Sequence, residues 1–184
     1  IDPRSVKTLL ISTAADREAE DPNAEMTWYE NDVARLRETG TEIIKFPLQD
    51  HSAADFVEAI KDAGIIYVSG GDTSYLLHHM RQVNFKHHLM DFFNRGGLYI
   101  GCSAGSIVVG PNLDFLYAYK SINDFVLEDT TALGVISWKI IPHYKSPDFM
   151  PVALKILAAS KEPLLCIEDH QALFVDGYAY SIVK

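Results

Sequence analysis

The chain has 184 residues, 48% of them hydrophobic and 22% charged, which is the composition of an ordinary globular domain with material for one substantial core. A formal charge of −9 and a pI near 5.1 argue against the clustered Lys and Arg of nucleic-acid or anionic-membrane surfaces, and no apolar run approaches the roughly 18 residues of a membrane span. Two cysteines inside apolar runs, Cys102 and Cys166, argue against a disulfide framework or a Cys-rich zinc site, and with no signal segment at the start a cytoplasmic protein is expected.

Lys7 to Thr13 is a continuous β-branched and apolar run, the pattern of a strand buried on both faces of a parallel sheet. Residues 14 to 24 are polar and charged and predict a loop. Met26, Tyr29, Val33 and Leu36 then recur at helical spacing, and Gly40 supplies the stop. Thr41 to Phe46 predicts a second strand. Ser52 with Asp55 predicts a capping box opening a short helix that carries Phe56, Ile60 and Ala63. Gly64 to Val68 predicts a third strand, running into Ser69-Gly70-Gly71-Asp72-Thr73, where Asp72 or Thr73 can cap a helix bearing Leu76, Leu77 and Met80. A further helix over residues 85 to 95 carries Phe85, Leu89, Phe92 and Phe93.

Leu98, Tyr99 and Ile100 read as a short buried strand that runs into Gly101-Cys102-Ser103-Ala104-Gly105, the G-x-S-x-G spacing of a nucleophile elbow. A serine on a tight strand-to-helix turn needs small neighbours two residues either side, so that the backbone folds under it and Oγ is exposed. The Ala104 amide then points toward any oxyanion formed on attack. Cys102 is the rival nucleophile, but shifting the register by one puts Ile100 and Ala104 at the bracketing positions, which favours Ser103. A glycine-rich turn without chemistry, or an anion-binding helix N-terminus, has the same short pattern.

Residues 111 to 135 have weak periodicity and predict a loop with a short helix. Val135 to Pro142 predicts a strand delivering His143 at its end. Residues 148 to 160 predict a helix with Phe149, Val152, Ile156 and Leu157 inward, Leu164 to Ile167 another buried strand, and Asp176-Gly177 the turn of a hairpin. Strands alternating with helices imply right-handed βαβ crossovers and an α/β, three-layer fold with a mostly parallel sheet and helices on both faces. No repeat, low-complexity tract or linker divides the chain, so one domain over residues 1–184 is expected. Ligands in such folds sit at the carboxyl ends of the strands, where Gly70-Gly71 and Ser103 both fall.

A serine nucleophile needs a base and a group to orient that base. Of the seven histidines, His78-His79 and His87-His88 lie on predicted helices and read as solvated-face residues; as adjacent pairs they lack the i, i+4 spacing of a helical metal site. His51 and His170 fall in a loop and a polar turn. His143 ends a strand at the edge where Ser103 is expected. The candidate acids are Asp114, Asp124, Glu168 and Asp169. The last two end the Leu164–Ile167 strand at the edge of His143, which geometry favours, whereas Asp-rich turns are usually solvated caps.

Tyr67-Val68-Ser69-Gly70-Gly71-Asp72-Thr73-Ser74-Tyr75-Leu76-Leu77, then Leu98-Tyr99-Ile100-Gly101-Cys102-Ser103-Ala104-Gly105, then Ile141-Pro142-His143-Tyr144 resemble the peptidase E (aspartyl dipeptidase) and cyanophycinase family of serine peptidases, in the same order and over nearly the whole chain. The resemblance implies a class I glutamine amidotransferase-like (flavodoxin-like) fold, a Ser103–His143 pair, and an oxyanion hole from the Gly70-Gly71 turn and Ala104. Asp169 resembles the family's acidic position near the C-terminus. Departures are Asp72 where members commonly have Asn, the absence of the family's first strand, and the absence of any arginine after Arg95 to read a substrate aspartate. Asp72, Thr73 and Lys145 are then the candidate substrate contacts.

The expectation is a serine peptidase acting on dipeptides or small peptides through an acyl-enzyme, with no metal or organic cofactor, no nucleic-acid or membrane partner, and a monomeric or homodimeric state. Two rivals stand beside it. One is a general esterase or amidase, whose usual Ser–acid–His order would need Asp114 or Asp124. The other is a non-catalytic relative that binds or scaffolds.

Overall fold

The computed structural model describes residues 1–117 and 125–184. Chain contacts divide them into two units, Ile1–Ser106 with Phe125–Leu127, and Ile107–Asp124 with Glu128–Lys184. The first unit runs β1 (Lys7–Ile11), α1 (Thr13–Glu18), α2 (Thr27–Glu38), β2 (Glu42–Lys45), α3 (Ala53–Lys61), β3 (Ala63–Val68), α4 (Thr73–Gln82), α5 (Phe85–Asn94) and β4 (Leu98–Gly101), and ends within α6 (Ala104–Ile107). Its four strands form a parallel sheet of order β2-β1-β3-β4.

Composition follows place in that sheet. Central β1 buries Leu9, Leu10 and Ile11, and β3 buries Ile65, Ile66 and Val68, as strands covered on both faces must. The predicted burial of β4 is corrected: at the sheet's margin, Leu98 and Ile100 are more than a third exposed, and the strand alternates instead of hiding both faces. The loop expected from residue 14 is also corrected, because α1 begins there. Ala14 and Ala15 bury it through small side chains, so it has good helix formers but no large apolar periodicity to announce it.

Capping follows local chemistry. Ser52 and Asp55 make the predicted reciprocal capping box on α3, and Asp72 caps α4 by accepting from the Tyr75 amide at 2.9 Å. The core under these helices is aromatic, with the Phe56 and Phe85 rings stacked 5.0 Å apart and both fully buried.

The second unit holds α7 (Asp114–Tyr117), β5 (Lys139–Ile141), α8 (Met150–Ala159), β6 (Leu164–Cys166), β7 (Ala172–Asp176) and β8 (Ala179–Val183). Strands β5 and β6 pair in parallel, and β7 and β8 form an antiparallel hairpin turning at Gly177, whose φ is +58°. The strand expected from Val135 is shorter because the amides of residues 132–136 donate to carbonyls of residues 108–111 instead. Phe149, expected inward, is 44% exposed at the start of α8, while Ala153 and Ile156 are buried.

Candidate active site

Ser103 follows β4 directly, with φ at +46°. A left-handed backbone at a residue other than Gly costs energy that the surroundings must hold, and such residues cluster at functional turns. The packing here explains both bracketing glycines. A Cβ on Gly101 would lie 2.4 Å from the Gly105 carbonyl oxygen, and one on Gly105 would lie 2.4 Å from that of Val68. The turn is pinned by the Cys102 amide donating to the Val68 carbonyl at 2.9 Å and by the Tyr99 hydroxyl donating to the Gly105 carbonyl at 2.7 Å. Burial pushes the Tyr99 phenol far up, so it remains a donor.

Beside Ser103 lies the second glycine turn. A Cβ on Gly70 would meet Ser103 Cβ at 3.2 Å and the Trp28 ring at 3.3 Å, so the chain must be bare there for the serine to approach. Gly71 has φ of +118° and would drive a Cβ to 2.2 Å from the Ala14 carbonyl oxygen. That carbonyl also accepts from the Asp72 amide at 3.1 Å, which ties the turn to α1. Among the described residues the amides of Gly70, Gly71 and Ala104 donate to no backbone carbonyl, and Ala104 is fully buried. Asp72 is committed to its cap, and Thr73 is buried in the first turn of α4.

In the second unit, the parallel pairing of β5 and β6 brings their carboxyl ends level. Ile141 accepts from the Ile167 amide at 2.9 Å, and Ile167 accepts from the Tyr144 amide at 3.0 Å. His143 and Asp169 emerge there, and His143 Nδ1 lies 2.7 Å from Asp169 Oδ1. A carboxylate only accepts, so this bond places a proton on Nδ1, and in the neutral imidazole Nε2 is then the acceptor. His143 also has a left-handed φ, +58°. Its ring packs against that of Phe149 at 4.7 Å between centroids, a support hidden from the sequence because Phe149 fits the apolar pattern of α8.

The other acids have other partners. Glu168 accepts from Lys145 Nζ at 2.6 Å; that ammonium holds the Glu168 carboxyl below its usual range, and Glu168 raises Lys145 in return. Asp114 accepts from the Thr130 hydroxyl. Asp124 lies outside the described residues. Lys145, a candidate substrate contact, therefore already has its charge matched. Among the described residues, the one group of three or more side chains that could hold a metal is His87, His88 and Asp91 on α5, with ligand atoms within 4.8 Å of one another. The i, i+4 partner missing from the histidine pair is Asp91. A cavity of about 740 Å³ between α2 and the β1–β2 strands is lined by Tyr29, Val33, Ile43 and Lys45 among others and holds none of the predicted site residues.

Comparison with known proteins bears on the family and the fold. The chain is 30% identical over 157 residues to an uncharacterized peptidase of Pasteurella multocida, covering 83% of this chain and 76% of that one. It is 33% identical over 99 residues to a peptidase E of a Shewanella species, covering 52% and 39% of the two chains. The crystal structure of a candidate peptidase E protein from Listeria monocytogenes superposes with a TM-score of 0.82 at 21% identity, over 97% of this chain and 86% of that one. It shares the class I glutamine amidotransferase-like α/β fold. The model of peptidase family S51 matches residues 5–183, and the chain thus belongs to family S51, the serine peptidases of the peptidase E type.

Proposed function

We propose that this peptidase hydrolyses dipeptides or small peptides through an acyl-enzyme on Ser103. His143 Nε2 takes the Ser103 proton as Oγ attacks the scissile carbonyl, and returns it to the leaving amine. Asp169 holds the imidazole in that tautomer and stabilises the imidazolium. The amides of Gly71 and Ala104, with Gly70 keeping the turn bare, receive the tetrahedral oxyanion. Water then repeats the attack on the acyl ester, with His143 again as base. The observation that carries the reading is the 2.7 Å bond between His143 Nδ1 and Asp169 Oδ1, because it leaves Nε2 with a lone pair for a serine proton. The left-handed Ser103 on a glycine-bracketed turn supports it from the nucleophile's side.

The test is active-site labelling. A fluorophosphonate probe should modify Ser103, and Ser103→Ala should abolish labelling while Cys102→Ala retains it. Labelling that persists in Ser103→Ala would overturn the serine mechanism and leave the fold untouched.

A further inference from the structure

Cys102, next to the nucleophile, and Tyr67, three residues before Gly70, both turn toward α2. Asp32 Oδ2 accepts from the Tyr67 hydroxyl at 3.2 Å and from Cys102 Sγ at 3.3 Å. The two donors belong to neighbouring strands, since Tyr67 on β3 faces Ile100 across the β3–β4 ladder and Cys102 directly follows β4, its N–H donating to the Val68 carbonyl. One carboxylate oxygen therefore binds the ends of both strands just before each enters its turn. Four residues earlier on the same face of α2, Trp28 lies over Gly70, the residue whose missing Cβ makes room for Ser103. Helix α2 thus touches both turns, one through a ring and one through a carboxylate.

We propose that Asp32 is a positioning residue for the nucleophile, clamping Tyr67 and Cys102 so that Ser103 is held in its left-handed conformation. This rests on the reading of Ser103 as nucleophile. Asp32 is half-buried, and among the described residues it has no ion pair with a cation. A partly desolvated carboxylate needs donors, and these two are neutral. Burial, with Cys102 and Asp32 beside it, keeps the Tyr67 phenol protonated and so a donor. The clamp also distinguishes the adjacent nucleophiles. A thiolate at Cys102 would face the Asp32 carboxylate at hydrogen-bond distance, a repulsion that opposes formation of the nucleophilic thiolate.

The test uses the full chain and two probes, each followed by peptide mass spectrometry so that Ser103, Cys102 and Cys166 are read separately. Asp32→Ala should slow fluorophosphonate labelling of Ser103 by about tenfold to a hundredfold, the scale of a small misplacement of a reacting group. It should also speed iodoacetamide alkylation of Cys102 and move that reaction's pH profile toward lower pH. Asp32→Asn keeps an acceptor oxygen but loses the charge, so it should recover part of the Ser103 rate while alkylating Cys102 as readily as Asp32→Ala. In a Tyr67→Phe/Cys102→Ala background, Asp32→Asn should slow Ser103 no further, because coupled residues do not add. That double variant also serves if Asp32→Ala fails to fold. Wild-type labelling of Ser103 in Asp32→Ala, or a full additional loss in the double background, overturns the proposal. If Ser103→Ala itself still labels, the nucleophile assignment has failed instead, and the Cys102 pH profile then reports the Asp32 contact separately.

Discussion

At the scale of single residues, the proposed chemistry rests on two left-handed backbones and one hydrogen bond. Ser103 and His143 are two of the four non-glycine residues with positive φ among those described, and each is held by contacts that a side-chain change elsewhere would loosen. Losing the orienting carboxylate of a Ser-His-acid triad favours the wrong tautomer and can cost on the order of 10⁴ in kcat. Asp169→Asn should show a loss of that order, while Asp114→Asn and Glu168→Gln, whose partners are Thr130 and Lys145, should stay within about tenfold of wild type. Steady-state kinetics of the three variants decide it, and a crippling Glu168→Gln would move the acid by one residue. Gly71 offers a stability counterpart. An alanine there must occupy the space of the Ala14 carbonyl in a left-handed backbone, so Gly71→Ala should cost about 2–4 kcal/mol in urea unfolding.

At the scale of elements, helix ends and helix faces make separate predictions. The α3 capping box satisfies two amides at once, and Ser52→Ala should destabilise the protein by about 1 kcal/mol. A loss below about 0.3 kcal/mol in urea unfolding would show that the cap is dispensable. On α4, burial holds the His79 imidazole below its usual range, with His78 adding to the effect while a hydrogen bond donated by His79 Nδ1 to Gln82 Oε1 and the charge of Asp50 partly oppose it. A histidine whose folded pKa lies below its unfolded one binds more protons when unfolded. Its contribution is therefore full above the ordinary histidine range, about 6.5, and falls as pH drops from there through the folded value. His79→Gln should shrink the difference in Tm between pH 7.5 and pH 5. An unchanged difference would place the acid sensitivity elsewhere.

At the scale of the whole molecule, charge bears on the substrate. The chain carries −9 overall and has no arginine after Arg95, and Lys145 is matched by Glu168. A buried substrate carboxylate wants a bidentate arginine or a free positioned lysine. Peptides with an N-terminal aspartate should therefore be cleaved no better than neutral ones of the same size. Comparing kcat/KM for Asp-Leu, Ala-Leu and Asn-Leu checks this. A preference for Asp-Leu beyond about a hundredfold, roughly 2.7 kcal/mol at the transition state, would mean that another cation reads the aspartate. No helix among the described residues is long and apolar enough to cross a membrane.

What the residues themselves determined was the part of the fold set by local rules. Buried strands read as apolar runs at β1 and β3, the α3 and α4 caps read from side chains that bond their own backbone, and the elbow read from two glycines whose absent Cβ atoms the packing requires. Wherever burial depends on neighbours far along the chain, sequence was silent or misleading. Helix α1 is covered through alanines, β4 is exposed because it is marginal in its sheet, and Phe149 packs on a histidine ring. The choice among acids was only partly of that second kind, because resemblance favoured Asp169 while leaving Glu168 as its neighbouring alternative. Asp169 and Glu168 are adjacent carboxylates on one strand end, alike in local pattern, and only the pairing of β5 with β6 turns one to His143 and the other to Lys145. Asp32 was equally hidden, because a single carboxylate on a helix has no signature until two strands some 35 and 70 residues later bring their donors to it.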